Sequence, residues 1–198
     1  MIIIRAEHGL VSHRICINIF AGHDRSLTCG RAQANEARYG VLMRATDEGL
    51  RLRVNPVKEL RSLRTGRTVL KARTLVPGEN PLAGVKGELF DLSADIRLDQ
   101  AAQIDFKLRG VAVVYDAKAQ ELSCEGKRAL LKLVNGCIRL RMFVDRTSID
   151  IFGNDGSLYM PMGVIVPHDN LSLEISAQGG AARINSLEVY RLKSSWQR

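Results

Sequence analysis

Polar side chains with the chemistry to hold a sugar stand at two turn signals in the second half of the chain. Asp145 and Arg146 lie together in the first, and Asn154 and Asp155 in the second. Carboxylates, guanidinium groups and amides bond sugar hydroxyls, and an exposed aromatic ring stacks on the C–H face of a sugar. With the tyrosines that neighbour such groups, the candidate carbohydrate-binding residues are Tyr115, Asp116, Asp145, Arg146, Asn154, Asp155 and Tyr159.

These candidates also have a structural interpretation. In a tight turn Asp145 accepts backbone N–H bonds and Arg146 pairs with it or with carbonyl groups, and for this pair we prefer that interpretation. Aromatic residues make up only 5% of the chain. Tyr115, Tyr159 and Trp196 are of a type that more often lies in a core or at its rim. Carbohydrate binding is therefore a hypothesis that depends on exposure of these side chains.

No motif of a known catalytic or cofactor site is present. The four histidines are scattered, and a nucleophile elbow, a His-Glu-x-x-His motif, a P-loop and a dinucleotide fingerprint are all missing. Cys16, Cys29, Cys124 and Cys137 lack the two-residue spacing of zinc ligands and are too sparse for a disulfide scaffold. We predict no catalytic residue, no metal and no cofactor. The cysteines should be structural thiols, and Cys124 and Cys137 could form a disulfide only if their segments are neighbouring strands.

Residues 138–156 carry the strongest hairpin signal. Apolar residues alternate with Arg139 and Arg141 up to Val144, which is the period of a strand with one face on a core. The apolar parity then changes across the polar residues 145–148, so we predict a reversal there. A second turn is predicted at 153–156, because Asn, Asp and Gly tolerate positive φ.

The same alternation recurs along the chain. It is clearest at 88–98, where Asp91 falls on the polar face, and it returns at 104–108 and 171–176. Two further hairpins are predicted, one at 111–124 and one at 41–54, which we expect to open the sandwich. Many short alternating strands separated by turn signals indicate an all-β fold, a two-sheet antiparallel β-sandwich of the jelly-roll or concanavalin-like type.

Four segments resemble a known family. Phe-Val-Asp-Arg-Thr-Ser-Ile-Asp-Ile-Phe-Gly-Asn-Asp-Gly at 143–156 is similar to the hallmark hairpin of the C-terminal β-sandwich module of glycoside hydrolase family 32, the levanases, inulinases and invertases. Residues 52–60, 87–94 and 185–196 resemble three further segments of that module in the same order. The resemblance spans residues 40–198 and implies the same fold.

The resemblance implies a module without its catalytic domain. Enzymes of this family carry three catalytic acids on a propeller, in Trp-Met-Asn-Asp-Pro-like, Arg-Asp-Pro and Glu-Cys motifs. Asp-Pro occurs nowhere in this chain, and Cys124-Glu125 has the reversed order. We therefore expect a non-catalytic accessory module that binds fructan or another carbohydrate, or supports a glycosidase, and that releases no fructose itself.

Length and composition indicate one domain with an extension. We assign residues 1–40 to an N-terminal extension with one strand at 15–20, and residues 41–198 to the β-sandwich module. No apolar run has the length that crossing a bilayer requires, and no secretory signal is evident. We predict no membrane contact, and the sequence indicates no compartment.

The net charge of +8 is concentrated near the start of the chain. Residues 1–75 hold 14 Lys and Arg against 6 Asp and Glu, and residues 76–198 hold 15 against 15. A short helix is predicted at 57–63, after Pro56, and a basic run extends from Lys58 to Arg73. Binding of nucleic acid is one interpretation, but a solvated face is the better one because no aromatic residues are interleaved for base stacking.

Two alternatives to an accessory role remain open. One is a structural or self-association domain, or a truncated glycosidase product without a ligand, and the other is nucleic-acid binding. In the resembled enzymes the sandwich packs against the propeller, so this chain should keep an apolar patch that water disfavours. We expect a homodimer that covers this patch.

Overall fold

The computed structural model describes residues 39–46 and 49–194. The strands, all paired antiparallel, are β1 (Tyr39–Thr46), β2 (Gly49–Pro56), β3 (Arg64–Leu75), β4 (Phe90–Arg97), β5 (Gln103–Leu108), β6 (Val111–Asp116), β7 (Glu121–Cys124), β8 (Lys127–Leu130), β9 (Cys137–Val144), β10 (Ser148–Gly153), β11 (Leu158–Gly163), β12 (Leu173–Gln178) and β13 (Ala182–Leu192). The predicted strand at 15–20 and Trp196 lie outside these residues. The described part of the chain has no helix that is long and apolar enough to cross a membrane.

Two sheets form the body of the molecule. One has six strands in the order β11-β10-β9-β4-β13-β3, and the other has five in the order β12-β5-β6-β7-β8. Their inner faces contribute to one continuous apolar core. The prediction of an all-β, two-sheet antiparallel sandwich is confirmed.

Alternation of side chains along the strands builds the core. On β4, Phe90, Leu92 and Ile96 are fully buried, and Met142 and Ile138 of β9 stand opposite the last two of them. Burial of an apolar side chain of this size contributes about 1.5–3 kcal/mol to folding. The inner face of β4 is therefore the face that the sequence predicted.

The hairpin predicted at 138–156 is present. The chain reverses between β9 and β10, where the N–H of Asp145 donates to the carbonyl of Ser148 over 2.8 Å. It turns again after β10 with φ angles of 44° at Asn154, 57° at Asp155 and 81° at Gly156. The residues that tolerate positive φ thus occupy the positions that require it.

The hairpin predicted at 41–54 is present, but the expectation that it opens the sandwich was wrong. β1 and β2 form a separate two-stranded sheet, which we call the arm. The arm is bonded to the sandwich through β2, whose Val54 N–H donates to the Gly156 carbonyl over 3.0 Å, and Tyr39 of β1 contacts Tyr159 of β11. Because the backbone bond from β2 ends on a turn, no ladder among the described residues joins the arm to either large sheet.

The short helix predicted at 57–63 is a 3₁₀ helix at Lys58–Leu63, and β3 follows it with most of the basic run. Three cations of β3 are ion-paired: Arg64 with Asp91, Arg67 with Glu188 and Arg73 with Glu79. These pairs reduce the positive potential that a phosphate backbone would meet. Arg67 and Arg73 fit the solvated-face interpretation of the run, whereas Arg64 is only 21% exposed and does not.

The two described cysteines are free thiols that lie on strands of different sheets. Cys124 ends β7 and is buried, and Cys137 begins β9 and is half-buried. The condition for a Cys124–Cys137 pair, neighbouring strands, is therefore not met. Cys16 and Cys29 lie outside the described residues.

We predict that the sandwich loses stability at alkaline pH through two buried groups. Burial, with a smaller contribution from the neighbouring carboxylates, raises the pKa of Cys124 to about 11 and that of Tyr115 to about 12. Both groups release their protons at lower pH in the unfolded chain than in the folded one. Their contribution to the free energy of unfolding is therefore fully present below about pH 9 and is lost as pH rises through the folded pKa values.

Between pH 9 and 11 the free energy of unfolding should fall less steeply in Cys124→Ala than in the unmodified chain. The difference in slope is up to about 1.4 kcal/mol per pH unit, which corresponds to the release of one proton. Urea unfolding at several pH values measures this slope in the variant and in the unmodified chain. An equal slope in the two proteins would contradict the assignment, and a constant offset at pH 7 reports only the lost packing.

Candidate functional site on the outer face of the six-stranded sheet

Two neighbouring rows of side chains cross the outer face of the six-stranded sheet. The first row holds Pro161, Asp150, Phe143, Asp91, Tyr190 and Arg67, and the second holds Tyr159, Phe152, Arg141, Ser93, Glu188 and Val69. We call these two rows, with Arg64 and Tyr39, the outer-face cluster. Three of its strands, β9, β10 and β11, follow one another in the chain, whereas β3, β4 and β13 are distant from them in sequence or from one another, and the folded sheet brings all six together.

Asp91 lies at the centre of the outer-face cluster and is completely buried. Arg64 Nε donates to Oδ2 over 2.7 Å, and Arg141 donates through Nε to Oδ1 and through Nη2 to Oδ2, each over 3.0 Å. A buried carboxylate is tolerated only when its charge is paired and its oxygens are bonded. The two guanidinium groups meet both requirements and join β3 and β9 to β4.

The same guanidinium groups cover aromatic rings. Arg64 lies 3.9 Å from the ring centroid of Tyr190, Arg67 lies 5.6 Å from the same centroid, and Arg141 lies 4.8 Å from that of Phe143. At these distances a cation is attracted by the face of the ring. Cation–π contacts thus fix the arginines from one side while Asp91 holds two of them from the other.

Aromatic rings continue the cluster towards the arm. Phe143 meets Phe152 edge to face at 6.2 Å, Phe152 stacks on Tyr159 at 4.9 Å, and Tyr159 contacts Tyr39 of β1 at 4.8 Å. The Tyr159 hydroxyl donates to Asp150 over 2.9 Å. Phe143, Phe152 and Asp150 are each less than 10% exposed although they point away from the sandwich core.

Glu188 completes the cluster at the β3 edge. It accepts a hydrogen bond of 2.9 Å from the Tyr190 hydroxyl and another of 2.9 Å from Arg67. The bond from Tyr190 and the pairing with Arg67 outweigh partial desolvation and hold the pKa of Glu188 below its ordinary value. Glu188 therefore stays ionised at neutral pH and orients both partners.

The turn at 153–156 binds the arm through its backbone carbonyl groups. Three successive carbonyl groups of this turn accept hydrogen bonds from β2, namely Asn154 from Arg53 over 2.8 Å, Asp155 from Asn55 over 3.5 Å and Gly156 from Val54 over 3.0 Å. A Cβ atom on Gly156 would stand 2.3 Å from the carbonyl oxygen of Val54. Glycine is required here both for the positive φ and for this close approach.

The predicted sugar ligands of this turn have structural roles. Asn154 is 7% exposed, its Nδ2 donates to the Lys132 carbonyl over 2.6 Å and its Oδ1 accepts from the N–H of Arg139 over 2.9 Å. The Asp155 carboxylate is exposed and pairs with Arg139 over 2.7 Å. The amide of Asn154 is thus committed to the protein, whereas Asp155 remains accessible.

Tyr115 does not lie on the surface. Its ring is fully buried in the sandwich core and its hydroxyl donates to the Leu131 carbonyl over 3.0 Å. Asp116 beside it is exposed and accepts the N–H of Ala119 over 2.8 Å, which closes the β6–β7 turn. A buried ring cannot stack on a sugar, so Tyr115 is excluded as a carbohydrate-binding residue.

The remaining candidates do not converge on one place. Arg146 donates to Glu88 over 3.1 and 3.2 Å, and its own N–H donates to Asp145 Oδ1 over 2.7 Å. This pair follows β9, whereas Asn154 and Asp155 follow β10, so the six residues of β10 separate the two turns by about 20 Å. The structure therefore divides the sequence-predicted residues among several places, with Tyr159 in the outer-face cluster.

The chemistry of the outer-face cluster is that of a contact surface. Asp91 cannot reach a substrate because it has no exposed surface. Residues 39–46 and 49–194 contain no group of three His, Cys, Asp or Glu residues that could hold a metal ion. The cluster presents half-buried Arg and Tyr side chains, types that are enriched at protein interfaces.

Sequence reasoning missed the central members of this cluster. Alternation placed Asp91 on the outer face but gave no sign of its burial, and Arg64 was interpreted as part of a solvated basic run. The available signal was Arg141 on the same parity as Arg139 in an otherwise apolar strand. The ion-pair partner of Arg141 can be identified only when the register of β4 and β9 is known.

We predict that Asp91→Asn destabilises the sandwich by about 3 kcal/mol, because it leaves two guanidinium groups close together without their counter-charge. This is the lower end of the range for a buried pair, since the side chains of Arg64 and Arg141 are 21% exposed. Urea unfolding at pH 7 measures the loss. The control is Asp95→Asn on the same strand and face, and a loss of equal size there would contradict the central role of Asp91.

We predict that Gly156→Ala detaches the arm. The replacement meets the Val54 carbonyl and forces a non-glycine residue to φ 81°, at a cost of at least about 1 kcal/mol. Hydrogen exchange at the Val54 amide should become roughly tenfold faster, while exchange in β4 and β9 stays unchanged. Gly163→Ala is the matched control on β11, because a Cβ there meets nothing within 4 Å, and equal effects of both changes would refute the prediction.

Comparisons with known proteins agree with this architecture. The model of the family "Glycosyl hydrolases family 32 C terminal" matches residues 59–191. The chain is 32% identical over 178 residues to a levanase of Bacillus subtilis strain 168 and 27% identical over 181 residues to a levanase of Bacillus sp. strain L7. The alignments cover 78% and 79% of this chain but 26% and 20% of those relatives, so it spans a fifth to a quarter of their length.

Solved structures share the fold. An exo-inulinase of Aspergillus awamori matches with a TM-score of 0.67 at 19% identity, over 80% of this chain and 35% of that one. A fructan 1-exohydrolase IIa of Cichorium intybus matches with a TM-score of 0.61 at 14% identity, over 78% and 40%. The family model matches more than half of this chain. The chain therefore belongs to glycoside hydrolase family 32, in the region of that family's C-terminal β-sandwich domain.

Proposed function

We propose that this chain is a non-catalytic module that packs against the catalytic domain of a fructan-cleaving glycosidase and stabilises it. The observation that carries the proposal is the burial of Asp91, Phe143, Asp150 and Phe152 on the outer face of a sheet. An antiparallel sheet with one face on a core ordinarily has a solvated, polar second face. A second face with buried aromatic rings and a buried ion pair resembles the floor of an interface.

The upper surface of the outer-face cluster suits a protein partner. Tyr190, Arg64 and Arg141 are held by ion pairs and ring contacts before any partner arrives. Side chains that are already ordered lose little conformational entropy on association. Their planar groups combine apolar area with hydrogen-bond donors, which is the combination found at interface hot spots.

The relatives supply the class of partner. The two levanases extend well beyond the region that this chain matches, and their printed names describe enzymes that act on levan. A module of this family would therefore meet a fructan-cleaving catalytic domain, either in a longer chain or in a separate one.

Carbohydrate binding is the competing function. Every described aromatic side chain is buried or half-buried, and Tyr115 and Asn154 have no accessible group to offer. Asp116, Asp145, Arg146 and Asp155 keep some exposure but lie at separate turns. The arrangement therefore favours the supporting role, and binding of levan by the isolated chain is an outcome that the experiment must distinguish.

The experiment is co-expression of this chain with the part of the Bacillus subtilis levanase that lies outside the matched region. We expect a complex on gel filtration and a higher melting temperature of the levanase part, with no release of fructose by this chain alone. Ser93→Lys places a bulky cation in the middle of the outer-face cluster and should weaken the complex at least about tenfold. Ser123→Lys is the matched control, a half-buried serine on the outer face of the other sheet.

Three results would overturn the proposal. One is the absence of a complex, and another is equal weakening by Ser93→Lys and Ser123→Lys, which would separate binding from the outer-face cluster. The third is co-sedimentation of this chain with levan in the absence of any catalytic domain. That result would establish the carbohydrate-binding alternative in its place.

A further inference from the structure

The outer-face cluster is small for a docking surface. Its two rows cross six strands, which at ordinary strand and residue spacings gives a footprint of about 400 Å². Each partner of a stable protein–protein interface buries about 800 Å². Asp91, Phe143, Asp150 and Phe152 are moreover less than 10% exposed and add little accessible area. A catalytic domain that docks on the cluster must therefore also contact a neighbouring surface.

The neighbours of the cluster differ in character. The next row of the same sheet consists of Arg139, Asp95, Ser186 and Lys71. Charged residues are depleted at the centres of protein interfaces, which disfavours this row. The arm borders the cluster at the β11 edge, where Tyr39 contacts Tyr159 with ring centroids 4.8 Å apart. The arm is therefore the better candidate for an extension of the docking surface.

One face of the arm is apolar, because alternate residues of both strands share it. Its members include Tyr39, Val41, Met43, Leu50, Leu52, Val54 and Pro56. Near the sandwich this face is covered, and Val41 is only 5% exposed. Towards the tip of the arm it is open, with Leu50 66% and Leu52 50% exposed. We call the open part, Met43, Leu50 and Leu52, the distal face.

The distal face has the character of a contact site. Leu52 stands opposite Met43, and Leu50 lies two residues earlier on the same side of β2, so the three side chains are neighbours. Adjacent exposed apolar side chains mark interaction sites more often than isolated ones do. A methionine adapts its shape to the surface that it meets. The distal face is also continuous with the outer-face cluster, because Tyr39 lies on the same face of the arm.

We propose that the distal face packs on the same catalytic domain that docks on the outer-face cluster, so that arm and cluster form one docking surface. This extends the proposed function and depends on it. Two observations single out this partner: the continuity of the two surfaces through Tyr39, and the area that the cluster alone does not supply. The opposite face of the arm, with Leu42, Arg44 and Arg53, stays in water.

Binding of the levanase part to variants of the full-length chain tests the proposal. Leu52→Asn removes an apolar anchor and should weaken the complex at least about tenfold. Leu42→Asn is the matched control, because it makes the same change in a leucine of similar exposure, 42%, on the opposite face of the same arm. It should leave the dissociation constant unchanged. Hydrogen exchange at the Val54 amide checks that the arm stays attached, and Leu50→Asn replaces Leu52→Asn if it does not.

The pattern of results separates this proposal from the proposed function. If Ser93→Lys weakens the complex while Leu52→Asn and Leu50→Asn bind like the unmodified chain, the cluster docks without the arm and the present proposal is overturned. If the unmodified chain forms no complex, the proposed function is overturned and the role of the distal face with it.

Oxidation of Met43 by hydrogen peroxide identifies what covers the distal face. The reagent converts an accessible thioether to the sulfoxide, and mass spectrometry of the Met43 peptide follows the rate. We expect slower oxidation in the complex than in the free chain. Equally slow oxidation in both would mean that another segment of this chain covers the distal face. Protection that grows with the concentration of the free chain would mean that a second copy does, and either result would overturn the proposal.

Discussion

The arrangement of the outer face depends on one buried charge. Asp91 has no exposed surface, so its carboxylate is stable only with two guanidinium groups against it. Arg64 and Arg141 come from strands on either side, and their position in turn fixes Tyr190 and Phe143 beneath them. A single carboxylate thereby orders side chains across the sheet that would otherwise sample many rotamers. This order makes the outer face a candidate docking surface.

The turn at 153–156 has a second role in this chain. Besides reversing the strands, residues 153–156 present three carbonyl groups to β2 and hold the arm against the sandwich. Gly156 is needed because the backbone of β2 comes too close for a side chain. The side chains that suggested a sugar site do not hold the arm: Asn154 bonds the backbone of Lys132 and Arg139, and Asp155 pairs with Arg139. The polar composition of a turn does not by itself distinguish a ligand site from a structural anchor.

The two proposed interactions use different parts of the same molecule. The outer-face cluster offers ordered Arg and Tyr side chains, which suit a preformed protein surface. The chain spans a fifth to a quarter of the length of its levanase relatives. The physical character of each surface indicates what kind of partner it fits.

The sequence alone determined strands with clear alternation, such as β4, β5 and β9, and the face of each that lies on the core, because the period of two depends on neighbouring residues and on burial of one face. It did not predict β3, β8 or β11. It also determined the turn at 153–156, whose positive φ angles need Asn, Asp or Gly. Tertiary structure alone decided the burial of Asp91, since its partners lie 27 and 50 residues away in the chain. It also decided that Tyr115 is buried, that Cys124 and Cys137 lie in different sheets and that β1 and β2 form an arm. These outcomes depend on the order and register of strands, which arise from contacts between distant segments that local periodicity does not encode.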